Sequence, residues 1–184
     1  MLTEIREYAK KTHNDVNHRY DDNEYVYHLD MVFDAMMDII SDAAGLNSFE
    51  SIVILITSCY THDLIEDCRV TYNDLIKDLM NICNVPETEA IAIAELTYAV
   101  TNEKGKSRKE RANDKYYSDM RQVKYATVLK VADRIANVRY SKQTNSSMKD
   151  KYFDEMPGFI EKISIDNDCP ILAVAIKTLT EEFK

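Results

Sequence analysis

Residues 51–67 read SIVILITSCYTHDLIED, an apolar run that ends in a cluster of titratable side chains. SIVILITSCY is apolar almost all round, which predicts a helix in the centre of a bundle. It runs straight into THDLIED. On one continuous helix His62 and Asp63 lie about 100° apart and point toward one centre from the same turn. Glu66, four residues after His62 and three after Asp63, falls on the same side. Burying such groups unpaired costs several kcal/mol, so their place at the end of an apolar helix asks for a reason.

The rest of the chain repeats the helical period. Residues 25–44 set Met31, Val32, Ala35, Met36 and Ile39 on one face and Asp30, Asp34 and Asp38 on the other, with His28 on the apolar face. Before them, residues 2–18 predict an amphipathic helix followed by the polar turn YDDNE. Asn47 with Glu50 resembles a capping box opening the central helix, and Thr71 with Asp74 predicts a cap for a helix through Met80. Pro86 suits the first position of a helix reaching Val100. Beyond a basic loop, a helix near 122–141 contains YATVLKVADRIANVRY, where Asp133 and Asn137 stand one turn apart among Val128, Val131, Ile135 and Val138. Two more helices, near 147–164 and 169–183, close the chain. With only three Gly and three Pro in 184 residues, a many-stranded fold is disfavoured. The expectation is one all-α domain over residues 1–184, with its motifs in residues 5–141.

Composition narrows the partners. Hydrophobic residues make up 45% of the chain and charged residues 30%, the profile of a globular protein. No apolar stretch approaches the roughly 20 residues that cross a bilayer. The opening MLTEIREYAKK has no apolar core of a secretory signal, so a cytoplasmic location is expected. Cys59, Cys68, Cys83 and Cys169 form no C-x-x-C pair and read as small buried hydrophobes. A net charge of −9 repels nucleic acid and anionic membranes. One segment runs against it: KGKSRKER, residues 104–111, suits a small polyphosphate, although a solvated charged loop explains it equally.

Two imidazoles and two carboxylates converging from three helices, His28, His62, Asp63 and Asp133, form a mixed nitrogen and oxygen set. Such a set suits Mn²⁺, Fe²⁺, Co²⁺ or Zn²⁺ with positions left open for water. A metal there would lower the pKa of bound water from about 16 toward 7. Glu66 and Asp67 would then orient that water or move its proton. Each part has a plainer reading: His28 as a satisfied core histidine, HD as a chance pair, Asp133 as a partner for Lys130 or Arg134.

In combination, the order H, then HD-x-x-ED, then D-x-x-x-N resembles the HD phosphohydrolase superfamily. The finer resemblance is to the hydrolase domain of RelA/SpoT-type alarmone enzymes and the small stand-alone alarmone hydrolases. THDLIEDCRVTYNDL (61–75) is similar to that family's LHD-x-x-ED-T segment and the helix after it, and LKVADRIANVR (129–139) to its KLADR-x-x-N-x-R. The resemblance implies one divalent metal, usually Mn²⁺, on His28, His62, Asp63 and Asp133, with Glu66 and Asp67 as the catalytic acidic pair. It implies nucleoside contacts from Asn137 and Arg19; Tyr140, Lys106, Arg108 and Lys109 complete the candidate substrate residues. The implied reaction is removal of pyrophosphate from the 3′ position of guanosine tetra- or pentaphosphate. Alternatives are a nucleotidase or dNTP hydrolase, a 2′- or 3′-nucleotide phosphatase, and a non-catalytic nucleotide-binding module. The chain departs from the family in three places. Tyr20 stands where a Lys is expected, DNEYVYH (22–28) lacks the Gly and Pro before the first ligand, and MKDKYFDEMPGF (148–159) replaces a Y-A-P-L-A segment.

Overall fold

The computed structural model describes residues 1–43, 48–102 and 104–184, with the side chains of Arg108 and Lys109 outside the description. Along these residues the chain is all-α apart from one small hairpin. Helices α1 (Leu2–Asp15) and α2 (Val26–Asp42) flank strands β1 (Arg19–Tyr20) and β2 (Asn23–Glu24). These pair antiparallel, Arg19 opposite Glu24 and Tyr20 opposite Asn23, so the YDDNE turn is a tight hairpin with Asp21 at positive φ. There follow α3 (Phe49–Thr61), α4 (Leu64–Cys68), α5 (Tyr72–Asn81) and α6 (Glu87–Val100). Beyond them come α7 (Arg108–Arg111), α8 (Asp114–Gln122), α9 (Ala126–Gln143), α10 (Met148–Ser164) and α11 (Leu172–Glu181).

Several expected boundaries are reproduced. Thr71 caps α5, its hydroxyl accepting from the Asp74 amide, and Pro86 stands one residue before α6 as its N-cap. Asn47 lies outside the described residues; the cap of α3 is Ser48, whose hydroxyl accepts from the Ser51 amide. Two expectations change. The helix anticipated near 122–141 is preceded by a separate one, α8, capped by Asn113, whose side chain accepts from the Tyr116 amide. The central helix is α9 rather than α3. It packs against α2, α3, α6, α8, α10 and α11, whereas only the C-terminal half of α3 is enclosed and Phe49 is 81% exposed. The apolar run of α3 is longer than its neighbours cover.

Buried apolar side chains fall into two clusters. One is built on α9 and gathers Val32 to Ile39 of α2, Leu55 and Cys59 of α3, and residues from α8, α10 and α11. The other joins α1, α4 and α5 through Ile5, Ala9, Leu64, Leu75 and Leu79. Helices α2, α3 and α6 contribute to both: Leu29 and Tyr60 lie in the second cluster, Val32 and Cys59 in the first. The polar residues singled out in the sequence sit along this seam. Among the described residues no helix is long and apolar enough to cross a membrane.

Candidate metal centre

The seam places His28 near the start of α2, His62 at the end of α3 and Asp133 midway along α9, all buried. One ligand atom from each lies within 4.8 Å of the other two. His28 Nε2 is 3.4 Å from Asp133 Oδ1 and 3.8 Å from Asp63 Oδ2; His62 Nε2 is 2.9 Å from that same Asp63 oxygen. Asp63 therefore borders both imidazoles without belonging to the tight group of three.

The HD pair is not on one continuous helix. Helix α3 stops at Thr61 and α4 begins at Leu64, leaving His62 as the last helical cap and Asp63 at φ −104°, ψ 0°. That sparsely populated backbone region is common at functional positions. The break turns the Asp63 carboxylate back between the two imidazoles.

The imidazole of His62 is set up as a ligand. Its Nδ1 lies 3.0 Å from the Cys59 carbonyl oxygen, which holds a proton on that nitrogen and makes Nε2 the one that would bind a cation once the ring is neutral. Nε2 lies 2.9 Å from Asp63 Oδ2 as an ion-pair contact but has no hydrogen-bond partner. A buried nitrogen with no hydrogen-bond partner, facing two carboxylates and a second imidazole, fits a divalent cation. Without a cation, burial disfavours protonation of His62, but Asp63 and then Asp133 outweigh it and push the imidazole up to about 9.

Asp133 is held firmly. Its Oδ2 pairs with Lys130 at 3.0 Å, and its Oδ1 accepts from Asn137 Nδ2 at 2.6 Å. Burial alone would raise this carboxyl, yet Lys130 keeps it well below the usual carboxylate range. Of the two partners conceivable from sequence, Lys130 takes the role, while Arg134 turns away to Glu155 at 3.0 Å.

Glu66 accepts from the Asn102 backbone amide at 3.0 Å and from its side-chain amide, and Arg111 Nη1 stands 3.9 Å away. With Asp133, Asn137 and Lys130 these residues line a cavity of about 300 Å³. Asp67 lies one helical step on, its Oδ2 3.8 Å from His18 Nδ1. Burial first, then Asp63 and Glu66, push the Asp67 carboxyl up to about 7.

The candidate substrate residues divide. Asn137 and Tyr140 line a cavity of about 230 Å³ together with Tyr20 and Tyr152. Tyr20 occupies the position where the resemblance expects Lys. It stacks on the His28 ring at 4.7 Å and donates to Asn137 Oδ1 at 2.9 Å. Arg19 is exposed and donates to the Asp22 carbonyl within its own hairpin, so the structure does not bring it to the cavity. Lys106 is exposed, and its backbone amide donates to Glu110. Arg108 and Lys109 carry no described side chains; among the described residues of the basic run, Arg111 lines the site.

Sequence reasoning left out Tyr25 and Asn102 as working parts and gave Lys130 as one of two conceivable partners for Asp133. Tyr25 alone had a signal, lying three residues before His28; Asn102 sits beyond the end of α6 where periodicity says nothing. No protein-family model matches this chain, and no curated protein matches it.

Proposed function

We propose that this protein is a divalent-metal-dependent phosphohydrolase of the HD type, acting on a phosphorylated nucleotide. The supporting observation is the convergence of buried His28, His62 and Asp133, with Asp63 beside both imidazoles and a His62 Nε2 that lacks a hydrogen-bond partner, at the edge of a cavity holding Glu66. Manganese is the metal we favour; when bound, it supplies Lewis acidity to the phosphoryl oxygens and makes hydroxide available near neutral pH.

The preferred substrate is guanosine 3′,5′-bis(diphosphate), cleaved at its 3′ position. A water oxygen bonds to the phosphorus carried by the 3′ oxygen, the bond to that oxygen breaks, and the 3′ oxygen takes up a proton as pyrophosphate is released. Glu66, oriented by Asn102, is placed to accept the proton from water. Asp67, whose carboxyl is raised by burial and by the charges of Asp63 and Glu66, is suited to supply the proton that the leaving oxygen needs. Arg111 adds positive charge beside Glu66. The nucleoside occupies the cavity of Asn137, Tyr140 and Tyr20, and the Tyr20 phenol in place of an ammonium relaxes base preference.

The test is a screen of nucleotides with added Mn²⁺, read by release of phosphate or pyrophosphate. Pyrophosphate from guanosine tetraphosphate is expected, with loss of metal and activity in His62→Ala. Glu66→Gln should keep the metal and lose roughly 10²- to 10⁴-fold in turnover. Cleavage of a dNTP or a 2′-phosphorylated nucleotide with guanosine tetraphosphate untouched would keep the chemistry and overturn the substrate. Unchanged metal content in His62→Ala would overturn both.

A further inference from the structure

The cavity beside Glu66 and Asp133 shares Ala112, Tyr117 and Arg134 with a second, larger one of about 560 Å³ formed against α10. Arg134, Lys151 and Lys162 line this second cavity against a single carboxylate, Glu155. Three cations and one anion leave two positive charges in excess, within a chain whose net charge is −9. The guanidinium of Arg134 lies over the rings of Tyr152 and Phe159, 4.8 and 4.6 Å from their centres, and so stands as a fixed planar fork where the two cavities meet. Lys162 pairs at 3.0 Å with Asp114, whose side chain is 93% exposed, a contact that solvent weakens. Lys151 makes no ion pair among the described residues.

The lining also contains Gly158, inside α10. Nothing in the backbone asks for glycine there: its φ is not positive, and a Cβ built on it meets no atom within 4 Å beyond its chain neighbours and the backbone of its own helix. Glycine inside a helix costs about 1 kcal/mol relative to alanine, so the residue forgoes stability and leaves open space.

We infer that this second cavity is a subsite for a second phosphate-bearing arm of the substrate, held by Arg134, Lys151 and Lys162 while the scissile phosphoryl group lies beside His62 and Glu66. The inference rests on the phosphohydrolase reading for the word substrate, but the anion site itself is measurable without catalysis. It makes the enzyme selective for nucleotides carrying two separate anionic groups, and it makes Gly158 a specificity-determining position.

The test has two arms. In metal-free buffer with EDTA, inorganic tripolyphosphate is titrated calorimetrically into the wild-type protein, Gly158→Leu and the double variant Lys151→Ala/Lys162→Ala. Binding that weakens about tenfold or more in both variants is expected, with an affinity that falls as salt rises. The exposed Lys151 and Lys162 sites keep the test valid if Gly158→Leu melts early. With Mn²⁺ present, kcat/KM for guanosine 3′,5′-bis(diphosphate) is compared with that for guanosine 3′-diphosphate, which lacks the 5′ arm; the preference for the two-armed substrate should fall about tenfold in Gly158→Leu. Tripolyphosphate binding that is absent, or within about twofold of wild type in both variants, overturns the subsite even if hydrolysis proceeds. Sensitive binding with no nucleotide hydrolysed under any metal leaves the anion site standing and overturns the phosphohydrolase reading.

Discussion

Tyr25 donates its phenolic hydrogen to Asp63 Oδ2 at 2.5 Å, while its ring stacks against both His13 and His18, at 4.2 and 4.1 Å. The bond ties the start of α2 to the break between α3 and α4. Asp63 is thus aimed at the imidazoles by a residue that is itself clamped by two aromatic rings. Tyr25→Phe keeps the stacking and deletes only the donor. Outer partners of metal ligands typically contribute about 10- to 100-fold in affinity, so Mn²⁺ should bind at least tenfold more weakly in this variant. A calorimetric Mn²⁺ titration matching wild type would show that Asp63 does not depend on Tyr25.

Lys130 compensates a carboxylate that has little water around it; its side chain is 17% exposed and that of Asp133 13%. Lys130→Met leaves Asp133 charged and enclosed, with Asn137 as its remaining strong donor. Removing one partner of such a pair costs about 3 kcal/mol or more. Urea denaturation in EDTA should register that loss, and saturating Mn²⁺ should recover much of it by supplying the missing positive charge. Equal destabilisation with and without Mn²⁺ would argue that Asp133 is not a ligand.

Asp67 gives a pH signature in the metal-free protein. Its folded carboxyl is pushed up to about 7, against an ordinary carboxylate value near 3.9 in the unfolded chain. Between those values the folded protein keeps a proton that the unfolded chain has released. Stability owed to this residue is therefore fully present below about pH 4, and it declines as pH rises through the window and levels off above 7. Asp67→Asn should flatten that decline, gaining about 1 kcal/mol at pH 8 after allowance for the side chain's partial exposure, and nothing near pH 4. Thermal melts of both proteins across pH 4–8 in EDTA decide it; parallel curves would place the proton elsewhere.

The helices and the candidate metal-site residues are legible in the sequence for one shared reason. Burying a polar side chain is costly, so His28, His62 and Asp133 stand out against apolar helical faces in the sequence itself. Helix α8 was not legible because its face to the core is narrow: only Tyr116, Tyr117 and Met120 are buried, and the rest of Asp114–Gln122 is polar. The break at His62 and Asp63 was hidden for a different reason. The apolar period runs on through Leu64 and Ile65 into α4, so periodicity marks no boundary between Thr61 and Leu64. Tyr20 reaches Asn137 across 117 positions of sequence through a hairpin of two-residue strands, too short to leave an alternating pattern. Charge alone does not say which cation of the basic run lines the cavity; among its described side chains Arg111 does.

The seam between the two apolar clusters has a mechanical meaning. Asp133 rides on the helix that organises one cluster, whereas Asp63 directly precedes α4, which belongs to the other. A cation gripping both would act as a rivet through two plates that otherwise meet along α2, α3 and α6. With the rivet in place the plates should melt together; drawn out, the α1–α4–α5 plate should loosen first. Differential scanning calorimetry should show one transition in Mn²⁺ and a broadened or split one in EDTA, and a single sharp transition in both would mean the plates never part. At a hundred times its dissociation constant the ion adds about 2.7 kcal/mol to the intact form. On this view metal supply governs how long the folded chain survives as well as what it can cleave.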